Sequence, residues 1–177
     1  MGFLDFLSKG NYIFDGKNTN DLTENEKSDL RKDKIGFIFQ SYHLNPHLKA
    51  YENVVVPMYI NKNINKNDRK NSAIKLLKLV GLENRINHYP KELSGGEQQR
   101  VAIARSLANN PSIILADEPT GNLDEKIGKG VLELLKEISR QGKCIIMVSH
   151  DENTKKYADY IYEMNNGKIV ELNHESK

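Results

Sequence analysis

The sequence has no tryptophan, a single cysteine, and no apolar run near the roughly 18 residues that a membrane span requires. Each absence closes something off. One thiol, Cys144, cannot form an internal disulfide, so the fold stands without cross-links, as suits a reducing compartment. It sits in the apolar run CIIMVS, which predicts a buried small hydrophobe rather than a nucleophile. Without a long apolar stretch, any tie to a membrane is expected to run through a partner. The opening MGFLDFLSKG carries Asp5 and lacks the basic start of a secretory signal. An excess of one charge is missing too, since 26 basic residues against 24 acidic ones leave a net +2. A basic stripe would mark a nucleic-acid binder, and none is present. Lysine and arginine are locally enriched in Asn61–Lys70, NKNINKNDRK, where no aromatics interleave, so that stretch reads as a solvated loop entering a helix. No nucleic-acid partner is expected.

What is present suffices for one domain over 1–177, because no repeat or low-complexity linker divides the chain. Tyr12–Phe14 reads as a short strand closed by the turn pair Asp15-Gly16. Thr23 and Glu26 make a capping box opening a polar helix to about Lys32. Ile35–Phe39 reads as a buried strand ending at Gln40. Glu52–Ile60 suggests a short helix, against which Val54–Val56 before Pro57 counts, and Asp68–Val80 an amphipathic one stopped by Gly81. A further helix is expected from Ser94 to about Ala108, followed by a strand at Ser112–Ala116 covered on both faces. Asp124 can cap the next helix, whose Ile127, Val131, Leu134, Leu135 and Ile138 make one face before Gly142 stops it. Cys144–Val148 is a third buried strand, and Tyr160–Val170 a hairpin turning at Asn165-Asn166-Gly167. Buried strands alternating with helices predict an α/β domain with a largely parallel sheet. The stretch 41–92, rich in helix, reads as an insertion in it.

Three of these strands end in polar residues: Gln40, the pair Asp117-Glu118, and His150. Ligands of open parallel sheets bind at the carboxyl edge, so these side chains are expected to converge there. Singly, Gln40 and His150 read as strand-end hydrogen bonders or caps; their recurrence at one edge argues for a site. A carboxylate in that position suits Mg²⁺, and a second beside it can deprotonate a water. Two adjacent buried carboxylates without a cation would repel. The octet Leu93–Arg100, LSGGEQQR, places Ser94, Gly95 and Gly96 at a helix start, where backbone N–H groups and the helix dipole favour phosphate.

LSGGEQQR resembles the ABC signature motif, ILADEPTGNLD the Walker B and D-loop, VSHD the switch-histidine loop, and IGFIFQSYHLNPHLKAYENV the Q-loop region of the ABC transporter ATP-binding subunits. DEPTGNLD and YENVVVPMYI are most similar to the macrolide, antimicrobial-peptide and lipoprotein export-type subfamily. The resemblance implies a P-loop NTPase (RecA-like) parallel sheet with an inserted helical subdomain at about 41–92. It further implies an ATPase that powers export through a separate membrane permease, with ATP and Mg²⁺ as cofactors. Gln40 would sense the γ-phosphate and Mg²⁺, and Asp117 would bind Mg²⁺. Glu118 would be the base and His150 a γ-phosphate contact. Ser94, Gly95, Gly96 and neighbouring Glu97 would meet ATP held by a second subunit in a head-to-tail dimer, with Asp124 the cross-dimer acid. The chain would then work in the cytoplasm, on the inner face of the membrane, through the permease.

The family's phosphate cradle, G-x-x-x-x-G-K-[ST], does not occur in these 177 residues. The opening MGFLDFLSKGNYIFDG resembles the segment that follows the P-loop helix, so the chain is expected to be N-terminally truncated. Met1 would match an internal methionine, with roughly 40–50 residues of cradle and flanking strands upstream. The polypeptide alone is therefore expected to be inactive. Two alternatives stay open: a non-catalytic partner lending its signature to a full-length subunit, and a gene fragment.

Overall fold

Three short apolar runs build the centre of the protein. In a computed structural model that describes residues 2–4 and 7–172, the strands β3 (Ile35–Ile38), β4 (Ile113–Asp117) and β5 (Cys144–Val148) lie parallel in the order β3-β4-β5. Their register pairs Ile38 with Ala116 and Asp117 with Val148, so their carboxyl ends are level. Met1 and Asp5, both part of the reading of the amino terminus, lie outside the described residues. Two antiparallel hairpins accompany the sheet. One is β1 (Ile13–Phe14) with β2 (Lys17–Asn18), the other β6 (Ile161–Asn165) with β7 (Lys168–Leu172). Both turn on a residue pair with positive φ, Asp15-Gly16 and Asn166-Gly167, the backbone that two-residue hairpin turns require.

The helices are α1 (Glu24–Lys34), α2 (Ala50–Val55), α3 (Arg69–Leu79), α4 (Gly95–Ser106) and α5 (Glu125–Arg140). Thr23 caps α1 with Glu26 in the expected reciprocal box. The helix expected at Glu52–Ile60 begins earlier and changes type, because Pro57 lacks the N–H that an α-turn would use; Val56–Tyr59 tightens into a 3-10 turn. Between β3 and α4 the described chain holds α2, α3 and 3-10 turns, and no strand.

Period-two alternation decides which side of the sheet is core. Ile38, Ile114 and Ala116 are buried with Val101, Ile103 and Ala104 of α4 and Val131, Leu134, Leu135 and Ile138 of α5. The same cluster continues into α2 and α3 through Val54, Val55, Ala73 and Leu77, so sheet and helical stretch share one core. The other face carries only a small cluster of Phe3, Phe14 and Ile35, with Tyr12, Leu30, Phe37, Ile113 and Leu115 half-buried against it. β4 is thus covered on both faces, as expected, with the thinner apolar cover on the second.

That asymmetry corrects the reading of Cys144, which is exposed. β5 is the edge of the sheet, and no described strand pairs its outer side. Cys144, Ile146 and Val148 point to the thinly covered face, while Ile145 and Met147 pack on the main core. Composition identified an apolar strand but not its place at an edge. The native protein should therefore react with a thiol reagent at Cys144 without denaturant, stoichiometrically within minutes. Labelling that needs urea would contradict the exposure.

Of the residues expected to share one face of α5, Val131, Leu134, Leu135 and Ile138 are buried and Ile127 is 39 % exposed. It lies in the helix's first turn and abuts Gly96 at the start of α4.

Candidate functional site

The level carboxyl ends of β3, β4 and β5 bring Gln40, Asp117, Glu118 and His150 to one edge. Glu118 follows β4 in a left-handed backbone (φ 43°), uncommon for a residue with a side chain. Its N–H donates to the Val148 carbonyl (2.9 Å), which ties the turn to β5. Its carboxylate is fastened at both oxygens. Oε1 accepts from the His150 backbone N–H (2.9 Å) and lies 2.6 Å from His150 Nδ1, while Oε2 accepts from the Ser149 hydroxyl (3.2 Å). The Glu118 side chain is 18 % exposed and that of His150 81 %, so the imidazole reaches from the carboxylate into open space.

Asp117 stands differently. Its side is exposed, and among the described residues its carboxylate has no hydrogen-bond or ion-pair partner. No described cluster of three or more His, Cys, Asp or Glu side chains could cage a metal. The donor set suits Mg²⁺, which takes one or two carboxylates and completes its shell with water and phosphate oxygens.

Gln40 is seated by the turn after Pro119. Its Nε2 donates to Asn122 Oδ1 (3.3 Å), and Asn122 Nδ2 donates to the Gln40 carbonyl (3.0 Å). A Cβ on Gly121 would come within 2.7 Å of Gln40 Nε2, so only glycine leaves room for this seat.

Ser94 is the N-cap of α4. Its hydroxyl accepts from Glu97 N (3.3 Å), and Glu97 Oε2 accepts from Ser94 N (2.8 Å). Gly95 lies close against Tyr42 and Leu123, and a Cβ on Gly96 would collide with the Ile127 methyl. Glu97, expected near nucleotide, spends its carboxylate on this cap and on Arg85 Nε at 2.7 Å. The Ser94 backbone N–H, followed by Arg85, holds the Glu97 carboxyl below its ordinary 4.5. A carboxylate whose pKa is depressed on folding stabilises above its unfolded value, and that contribution is lost as pH falls through the folded one. Glu97→Gln should therefore remove part of the loss of stability below about pH 4.5 and leave the acid limb flatter. Thermal melts of both proteins between pH 3 and 7 check this; parallel curves would refute it. Asp124 caps α5, accepting from Ile127 N (3.0 Å).

Three polar residues that the strand-end pattern did not mark also shape the site. Asn122 holds Gln40, Gln99 is fully buried and donates to the Pro119 carbonyl (2.7 Å), and Arg105 binds the segment after Gln40. Gln99 and Asn122 lie inside the quoted motifs. Their partners are 20 and 82 residues away, which no local pattern reveals.

The sequence profile of the ABC transporter family matches residues 4–121. The chain belongs to the ABC transporter family. An uncharacterized ABC transporter ATP-binding protein of Methanocaldococcus jannaschii is 49 % identical over 172 residues, which are 97 % of this chain and 76 % of that protein. The macrolide export ATP-binding/permease protein MacB of Escherichia coli is 47 % identical over 96 % of this chain, which spans only 26 % of the MacB length. A dimeric ATP-binding cassette in a post-hydrolysis state, bound to ADP and Pi, superposes with a TM-score of 0.82 at 42 % identity. The match covers 98 % of this chain and 78 % of that one. The fold is accordingly the α/β P-loop NTPase fold of these cassettes, and several of the relatives, MacB among them, are named export ATP-binding/permease proteins. No helix among the described residues is long and apolar enough to cross a membrane.

Proposed function

We propose that the chain is the ATP-hydrolysing part of an ABC exporter, acting with a second ATP-binding subunit and a membrane permease. The observation that carries this is Glu118. A carboxylate held at both oxygens by Ser149 and His150, beside an unpartnered Asp117, is an oriented base next to a cation ligand. Bound ATP and Mg²⁺ would supply the transferable phosphoryl group and its charge neutralisation. Asp117 offers the oxygen for the cation. Glu118 takes the proton of the attacking water, and its bond to Nδ1 leaves the opposite ring edge of His150 free to meet a phosphate oxygen. Gln40, seated on Asn122, lies between this edge and the helical stretch.

Ser94, whose own N–H is taken by Glu97, caps a helix start whose Gly95 and Gly96 backbone is suited to a phosphate carried by another subunit. Asp124, near that helix start through Leu123, is placed for the same face. The exposed Val56, Tyr59 and Ile60 provide an apolar strip that fits a cytoplasmic segment of the permease, which would keep the chain at the inner face of the membrane.

Because these 177 residues contain no G-x-x-x-x-G-K-[ST], the polypeptide by itself is expected to bind ATP weakly and to show no turnover. The test sets it beside a chimera carrying the amino-terminal segment of the 49 % identical archaeal relative. Mg²⁺-dependent phosphate release by the chimera alone is the expected result. A folded chimera that neither binds nor hydrolyses ATP would overturn the ATPase reading. Turnover by the unfused polypeptide, lost on Glu118→Gln, would overturn the dependence on an added cradle.

A further inference from the structure

The segment between Gln40 and α2 is held in a backbone that its residues do not favour. Tyr42 (φ 58°) and His43 (φ 49°) are consecutive non-glycine residues in the left-handed region, the only such neighbouring pair among the described residues. Bulky side chains resist that conformation, so something outside the segment must stabilise it. Local bonds are few: Tyr42 N donates to the Phe39 carbonyl (3.2 Å), and His43 N to that of Ser41. The His43 ring leans on Phe39 at 4.8 Å between centroids.

The remaining support comes from α4. Arg105 reaches across 62 residues of sequence, donating from Nη1 to the His43 carbonyl and from Nη2 to the Tyr42 carbonyl at 2.7 Å. Among the described residues it forms no ion pair with a carboxylate, and burial lowers its pKa. A desolvated guanidinium without an acid partner depends on those two carbonyls, and its planar fork suits two adjacent acceptors. At the other end of α4, the Tyr42 side chain lies against Gly95, so the segment touches the helix twice. Upstream, Gln40 is bonded to Asn122 through side chain and backbone.

We propose that Arg105 is a positioning residue that clamps Tyr42 and His43 onto α4, so that Gln40 and the helix start Ser94–Gly96 hold a fixed relation and shift together. The purpose of the clamp rests on the proposed ATPase function; its existence does not.

Arg105→Lys keeps the charge but cannot grip two carbonyls at once. In the unliganded 177-residue protein, hydrogen exchange at the Tyr42 and His43 amides should speed up by about tenfold or more in this variant. Amides of β4 should stay within about twofold of wild type, which separates a clamp from general loosening. Placing glycine at both positions, Tyr42→Gly with His43→Gly, removes the strain, so adding Arg105→Lys there should change exchange little. Unchanged exchange in Arg105→Lys overturns the proposal, as does a rise shared equally with β4, or an undiminished effect in the double-glycine background. Should the lysine variant fail to fold, nitrogen-15 spectra of wild type decide. Hindered, separately resolved Arg105 Nη protons support the clamp, and a single averaged signal overturns it. A failed exchange test with Glu118→Gln behaving as expected sinks the clamp alone; the reverse pattern sinks the ATPase reading alone.

Discussion

Replacing Glu118 with glutamine in an ATP-hydrolysing assembly is expected to cut turnover by about 10²–10⁴-fold while leaving nucleotide binding in place. The size follows from what is removed. Glutamine keeps the shape of the side chain and one acceptor oxygen, so bonds from the Ser149 hydroxyl or the His150 backbone N–H survive. What disappears is the ability to accept a proton from the attacking water. Glu118 occupies a left-handed backbone, and glutamine has the same unbranched Cβ as glutamate, so the substitution adds no new strain there. Glu118→Ala would be a poorer probe, since it also frees the His150 ring, whose Nδ1 has its one close partner in that carboxylate. Steady-state phosphate release gives the rate, and equilibrium binding of a fluorescent ATP analogue gives the affinity. A rate within tenfold of the parent at saturating ATP would show that proton transfer to Glu118 is not what limits the reaction.

How far the sequence leads depends on the range of the interaction. Strand ends are legible because an apolar run followed by a polar residue is a local pattern, and Gln40, Asp117 and His150 all stand where that pattern puts them. Caps are equally local: Thr23, Ser94 and Asp124 each cap a helix through a residue three positions on. The errors come where a residue's surroundings depend on which elements lie beside it. Cys144 has the composition of a core strand, yet its strand is an edge with one thin face. Ile127 fits the apolar period of α5, but in the first turn it abuts Gly96 and is exposed. Lys17–Asn18 forms β2 with no apolar signal at all, its pairing dictated by the Asp15-Gly16 turn. Arg105 reads as an ordinary basic residue near a helix end, the position favoured by the dipole. Its bonds to Tyr42 and His43 depend on a loop whose left-handed backbone no glycine announces.

Gly36→Ala is expected to be the most damaging small substitution in the sheet, costing about 1–3 kcal/mol or more. Gly36 lies in the middle of β3, paired with Ile114, and the end of α4 crosses directly over it. A Cβ there would collide with the carbonyl oxygen of Ser106, with Ser106 C at 3.1 Å and Pro111 Cγ at 3.2 Å behind it. The obstacle is backbone, so no side-chain rotation relieves it. Neither partner can retreat cheaply. β3 is locked in register with β4, and Ser106 is buried, its hydroxyl bonded to the Ile103 carbonyl at 2.7 Å. Leu107 and Ala108 behind it belong to the main core. Any displacement of α4 would also carry Arg105, so the segment after Gln40 should loosen along with the fold. Gly130→Ala is the contrasting control. Its Cβ would meet only the flexible end of Arg100 at 3.4 Å, and within α5 alanine should gain up to about 1 kcal/mol over glycine. Urea denaturation of the three proteins reads both effects. If Gly36→Ala shifted the unfolding free energy by less than about 0.5 kcal/mol, the close crossing of α4 over β3 would be wrong, and with it the rigid link between the sheet edge and the helix that starts at Ser94.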